Sequence, residues 1–159
     1  MKHFLKLLEK DAHLTPAELA LMCEKEEGDI KALINSYEKD GVILGYTTVI
    51  DWDKTDIEYV NALIELKVTP RVGSGYDEIA ERIYSYPEVE SVYLMSGGYD
   101  LTVMLRGKTM REVAIFVASK LATIEAVTST ATHFVLRRYK EMDVELLGTG
   151  KDERGSYLL

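Results

Sequence analysis

Phe4, Leu5 and Leu8 recur at helical spacing near the start of the chain and predict a first helix. Thr15-Pro16-Ala17-Glu18 then carries a strong helix-start signal: Thr15 as cap, Pro16 at the first helical position, Glu18 closing a capping box. Leu14 and Leu19 are spaced as a hydrophobic staple, and this second helix ends near Cys23. In the third, Ile30, Leu33, Ile34 and Tyr37 form one apolar stripe, which Gly41 terminates. Val42 to Ile50 reads as extended chain, a β-wing after three helices. Short helices with a tight second-to-third connection and a wing fit a winged helix-turn-helix over residues 1–50. A plain three-helix bundle has the same pattern. The polar stretch 51–58 reads as a linker.

From Tyr59 the pattern changes period. Val60, Ala62, Ile64, Leu66 and Val68 alternate on one face of a strand that Pro70 ends. A helix follows from Tyr76 to Ser85 with Ile79 and Ile83 inward, closed by Pro87. Two strands, Val89 to Met95 and Leu101 to Arg106, flank a Gly-Gly loop. Thr109 to Glu112 is a second capping box, ahead of a stripe of Val113, Phe116, Val117 and Leu121. A last strand runs from about Val127 to Leu136. The order βαββαβ over residues 59–140 is ferredoxin-like, so the whole chain is α+β, with a tail at 141–159. Both helices of that fold cover one face of the sheet. The other face is expected to carry Leu63, Thr102 and Met104, with Thr128, Thr130, Thr132, Phe134 and Leu136 from the last strand. A half-apolar open face favours dimerisation through the sheet. The glycine- and charge-rich stretch from Gly148 to Leu159 is left unassigned.

Composition narrows the class. With 47% hydrophobic and 29% charged residues, the chain reads as a globular protein. It has no apolar run long enough to span a bilayer and no signal peptide at its start, which predicts a cytoplasmic protein. Cys23 is the only cysteine, which excludes intrachain disulfides and cysteine-based zinc sites. Net charge is −8; the first fifty residues hold six lysines against nine acids, and no arginine precedes Arg71. That balance works against phosphate binding by the first unit.

The chemistry concentrates in Ser96-Gly97-Gly98-Tyr99-Asp100-Leu101. Glycines allow close approach to backbone amides. Tyr99 adds an aromatic wall and Asp100 a fixed charge, a combination suited to a small zwitterion such as an amino acid. The competing reading is a turn in which glycine supplies positive φ.

The chain resembles the Lrp/AsnC family of amino-acid-responsive transcription regulators from about His3 to Tyr139. The resemblance is carried by Asp11-Ala12-His13-Leu14-Thr15 before the second helix and by Asp40-Gly41-Val42-Ile43-Leu44-Gly45-Tyr46 after the third. The Gly-Gly loop and Ser129-Thr130-Ala131-Thr132 complete it. The resemblance implies dimers assembled into larger rings, often octamers, with amino acids bound between dimers near the loop. It places the effector on Gly97, Gly98, Tyr99 and Asp100, together with Thr130 and Thr132 at the family's Thr-x-Thr positions. Backbone amides and threonine hydroxyls suit a carboxylate, and Asp100 suits an ammonium group. Plain β-propensity accounts equally for the threonines.

For double-stranded DNA the resemblance points to the third helix, where Lys31, Asn35, Ser36 and Lys39 are the candidates. The match there is thin. The family's usual basic positions hold Leu33, Asn35 and Ser36, and Glu26, Glu27, Asp29, Glu38 and Asp40 surround only two lysines. Arginine bidentate to guanine is unavailable from this helix. The leading expectation is an amino-acid- or metabolite-responsive DNA-binding regulator, its weak modules helped by avidity. The alternative is a ligand-sensing oligomer that acts through protein partners. A third class, enzymes resembling sirohaem decarboxylases, lacks support. His3, His13 and His133 are scattered, and no nucleophile–base pair, metal spacing or phosphate loop is visible. No catalytic residue, metal or cofactor is expected.

Overall fold

A computed structural model describes residues 2–70 and 75–146. Contacts divide the chain into two units, residues 51–139 and residues 1–50 joined by the chain from Lys140 onward.

In the first unit, α1 (Lys2–Lys10), α2 (Pro16–Cys23) and α3 (Glu27–Lys39) pack around Phe4, Leu8, Leu19, Ala20 and Ile30. The expected stripe of Leu33, Ile34 and Tyr37 closes on this core, as does Leu14. The capping box forms: Thr15 Oγ1 accepts from Glu18 N–H at 3.3 Å, and Glu18 Oε2 accepts from Thr15 N–H at 2.8 Å. The bond from Thr15 N–H, and a second from the Thr15 hydroxyl to Glu18 Oε2 at 2.7 Å, hold the Glu18 carboxyl below its ordinary pKa. Gly41 adopts φ of 69°, the left-handed conformation that lets the chain leave α3.

The expected wing is corrected. Among the described residues, 42–50 form no strand and enter neither sheet. The hairpin of this unit comes instead from β5 (Lys140–Glu141) and β6 (Val144–Glu145), turned by Met142 and Asp143 at positive φ. The stretch assigned to the tail therefore starts with structure. The run from Gly148 to Leu159 lies outside the described residues.

The second unit is a four-stranded antiparallel sheet ordered β2-β3-β1-β4, where β1 is Val60–Val68, β2 Val89–Leu94, β3 Leu101–Gly107 and β4 Val127–Phe134. Helices α4 (Tyr76–Tyr84) and α5 (Met110–Phe116) supply the other layer of the core. Ala62, Ile64, Leu66 and Val68 are buried, as their alternation predicts, with Leu101, Val103 and Leu105 beside them. Ile79, Ile83, Val113, Phe116, Val117 and Leu121 close the core from the helical side. The second capping box forms only in part. Thr109 Oγ1 accepts from Glu112 N–H at 3.1 Å, but Glu112 Oε2 takes the N–H of Lys108, one residue before the cap. After Phe116 the helix widens into a π turn, with Ala122 N–H bonded to Val117 O at 2.8 Å.

Pairing register corrects the face assigned to β4. Leu66 stands opposite Thr130, Ile64 opposite Thr132 and Ala62 opposite Phe134. Directly paired residues share a face, so these three lie on the helix side, and Phe134 packs against the core. The open face receives Ser129, Ala131 and His133 instead, next to Lys67, Glu65 and Leu63. His133 Nε2 lies 3.0 Å from Glu65 Oε2 there. The polar stretch before β1 also has structure. A 3-10 turn at Trp52–Lys54 sets Trp52 edge-on to Tyr59, 5.1 Å between centroids. The Arg106 guanidinium stacks 5.0 Å from the Tyr59 ring and 5.8 Å from Trp52, and pairs with Glu90.

Candidate effector loop and DNA-facing helix

The loop 96–100 leaves β2 and enters β3 at the end of the sheet where β1 finishes. Asp100 fixes it there. Its N–H donates to Leu66 O at 2.9 Å, and its carbonyl accepts from Met95 N–H at 2.8 Å. Asp100 Oδ2 accepts from Val68 N–H at 2.9 Å, and Oδ1 lies 3.2 Å from Lys67 Nζ. The Val68 bond is the main reason the carboxyl sits below its usual pKa; Lys67 adds to it and desolvation opposes it. Sequence reasoning identified Asp100 but missed both partners. Their only trace was the position of Lys67 and Val68 at the end of the β1 alternation.

Asp100 is thus a clasp between β1 and the loop before it is anything else. An ammonium group arriving at this carboxylate would share it with Lys67. Gly97 and Gly98 are exposed, and Tyr99 is half-buried. Neither glycine has a left-handed φ, and a Cβ built on either meets no atom within 4 Å. The turn reading, which needed positive φ, is overturned. Nothing among the described residues requires glycine at these two positions.

The threonines do not converge on the loop within one chain. Thr130 is half-buried and Thr132 exposed at the β4 edge. Leu101, Leu66 and Thr130 occupy one row across β3, β1 and β4, which separates Thr130 from the start of β3 by two strand spacings, roughly 10 Å. Thr128 Oγ1, not singled out from sequence, donates to Lys67 O at 3.2 Å and ties the β4 edge to the residue that pairs with Asp100.

On α3, Lys31, Asn35, Ser36 and Lys39 are all exposed. Two of them are engaged locally: Lys31 Nζ lies 2.6 Å from Glu27 Oε1, and Ser36 Oγ donates to Asp40 Oδ2 at 3.1 Å. Tyr46 donates to Glu38 Oε1 at 2.9 Å, a contact that raises the tyrosine pKa alongside the larger effect of desolvation. Glu27, Glu38 and Asp40 thus have local partners, but the acidic excess around α3 remains. Among the described residues no group of histidine, cysteine and carboxylates could hold a metal ion. No helix of the described residues is long and apolar enough to cross a membrane.

Comparison with known proteins agrees with this architecture. Residues 61–144 match the Lrp/AsnC ligand binding domain. The HTH-type transcriptional regulator YugG of Bacillus subtilis is 46% identical over 94% of this chain and 90% of its own length. The chain belongs to the Lrp/AsnC family. Among solved structures, E. coli AsnC superposes with a TM-score of 0.66 at 20% identity, covering 87% of this chain and 91% of that one. The L-Met complex of the regulator NMB0573 from Neisseria meningitidis gives 0.70 at 19% identity, covering 87% and 88%. At these identities the superpositions establish the fold. The α+β architecture expected from sequence holds, apart from the wing. The chain is an Lrp/AsnC-type transcriptional regulator, and its relatives are regulators rather than enzymes.

Proposed function

We propose that this regulator senses a free amino acid or a similar small zwitterion at Gly97-Gly98-Tyr99-Asp100. The single observation that carries the reading is the glycine pair. With neither a left-handed φ nor a neighbour within 4 Å to explain them, the glycines leave room for something outside the chain. Their exposed backbone suits a carboxylate, and the Asp100 carboxylate, already turned toward one ammonium, suits another. Thr130 and Thr132, about two strands away within one chain, join the site through a second subunit. Leu63, Met104 and Ala131 on the open face of the sheet support a dimer, and larger rings follow if loops meet between dimers. Ligand at a shared site then biases assembly by its differential affinity for the two states. L-methionine, bound by the Neisseria relative, heads the panel. Light scattering with a set of amino acids tests this directly: one of them shifts the mass distribution at fixed protein concentration. No shift and no heat of binding with any of them would remove the loop site.

DNA binding is proposed through α3, with Asn35 available for an adenine edge and Lys31 and Lys39 for phosphates. The Glu27–Lys31 pair makes each module weak, so affinity rests on several modules acting together. That same pair, with Ser36 committed to Asp40, favours a second reading in which α3 meets a protein partner. Binding to the protein's own upstream region at low salt separates the two.

A further inference from the structure

The second unit holds a cavity of about 300 Å³ beside α5 that neither the loop nor α3 accounts for. It lies on the helix side of the sheet near the far end of β3, around Leu105 and Gly107. The loop enters β3 at Leu101, so five residues at about 3.4 Å each put roughly 17 Å between the two places. Its floor is apolar: Leu105, Val113 and Phe116 belong to the core, and Phe116 is held edge-on by Tyr86 at 5.4 Å. Ile115 stands exposed at the rim.

Three further features converge here. The π turn shifts Ser119 and Lys120, which both line the cavity, out of ordinary helical register; such turns recur at functional sites. A Cβ on Gly107 would lie 2.9 Å from Val113 Cγ2, so β3 and α5 touch and the wall is fixed. The third is charge. The carboxylates of Glu88 and Glu112 line the cavity against the single ammonium of Lys120, which sits 5.8 Å from the Tyr86 ring. Arg106 also lines it, but its guanidinium is committed to Glu90 and to the aromatic rings before β1. The Glu88 carboxylate has no partner among the described residues, its carbonyl accepting from Arg106 N–H, and Glu112 spends one oxygen on Lys108 N–H, 2.9 Å away. The excess is one negative charge over an apolar floor, in a volume at the lower end of small-ligand pockets.

We propose that this cavity is a second small-molecule site, contained in one chain, for a ligand with an ammonium group next to an apolar substituent. The ammonium lies between Glu88 and Glu112 and the apolar group against Leu105 and Phe116. Free apolar α-amino acids and the corresponding amines share this chemistry; only the former also offer a carboxylate to Lys120.

Equilibrium dialysis of the full chain with L-phenylalanine, phenethylamine and 3-phenylpropionate tests it. The two ammonium compounds bind with Kd on the order of 1 mM, as expected for ligands of this size, and the acid does not. Ile115→Lys places a competing ammonium at the exposed rim, and Glu88→Gln removes one carboxylate. Each weakens binding at least tenfold, with circular dichroism and Tm unchanged. Every measurement is made on chains that also carry Gly98→Val, so that an amino acid at the distant loop does not contribute. Lys120→Gln then names the source: loss for L-phenylalanine alone identifies an amino-acid site, and loss for neither identifies an amine site. No binding to the Gly98→Val chain, binding that survives both Ile115→Lys and Glu88→Gln, or binding as tight for 3-phenylpropionate overturns the proposal.

Discussion

Replacing Gly97 or Gly98 by alanine separates what the loop does for the fold from what it does for a ligand. A methyl group at either position meets no described residue within 4 Å, and neither residue uses the left-handed conformation that alanine resists. The folded chain therefore accepts alanine without strain, while the unfolded chain loses freedom. The expected result is a stabilisation of about 0.4–1 kcal/mol per site. For a unit spanning residues 51–139, each kcal/mol is worth roughly 4–8 °C, so Tm rises by about 2–8 °C. The ligand sees the opposite effect. A methyl inserted into a close contact costs about 1–3 kcal/mol, which weakens binding roughly 5- to 150-fold. Scanning calorimetry on dilute, ligand-free protein reads the first quantity, and titration calorimetry with the responsive amino acid reads the second. Two results would refute the reasoning. A fall in Tm would mean that the glycines serve the chain's own backbone. Unchanged binding in both variants, with stability raised as expected, would mean that nothing approaches them.

Lys31→Glu combined with Lys39→Glu abolishes DNA binding while oligomer mass and ligand binding persist; in gel-shift titrations each single variant lowers the salt slope by about 0.9. Retention of DNA binding in the double variant would remove α3 as the reading helix. Asp100 has a depressed pKa in the folded chain, so its stabilising bonds are fully present above the ordinary carboxylate value near 4 and are lost as pH falls through the depressed value. Asp100→Asn therefore flattens the acid limb of a stability–pH profile measured by urea titration. Leu66→Ala empties a fully buried position between β3 and β4 and costs about 2–5 kcal/mol, read as a lower urea midpoint. Arg106→Ala frees Trp52, the only tryptophan, from its cation–π contact, and the emission spectrum shifts to longer wavelength.

Local signals carried far along this chain. The period-2 run from Val60 to Val68 predicted β1 and its buried face because alternation is a property of the strand itself. The Thr15–Glu18 box predicted the start of α2 for a similar reason, since both partners lie within four residues. The second box shows where such reasoning stops. Thr109 and Glu112 have the right spacing, yet Glu112 turns to Lys108, a choice made by the chain's path out of β3. The expected wing is not a strand among the described residues: whether an extended segment becomes one depends on a partner elsewhere in the chain, and residues 42–50 do not carry that information.

The candidate site divides in the same way. The sequence determined that two glycines, a tyrosine and an aspartate stand together between two strands, and that their order matches the Lrp/AsnC family. Tertiary structure alone decided that Asp100 grips Val68 and Lys67 from more than thirty residues away. It also decided, through the irregularity at Lys67 and Val68, which way β4 faces. A shift of one residue in pairing turns every side chain of a strand to the opposite side, and no local pattern records that shift. For this reason Thr130 and Thr132 were found in the sequence but assigned to the wrong face of the sheet. The empty space around Gly97 and Gly98, the best evidence for a ligand, exists only once the chain has folded.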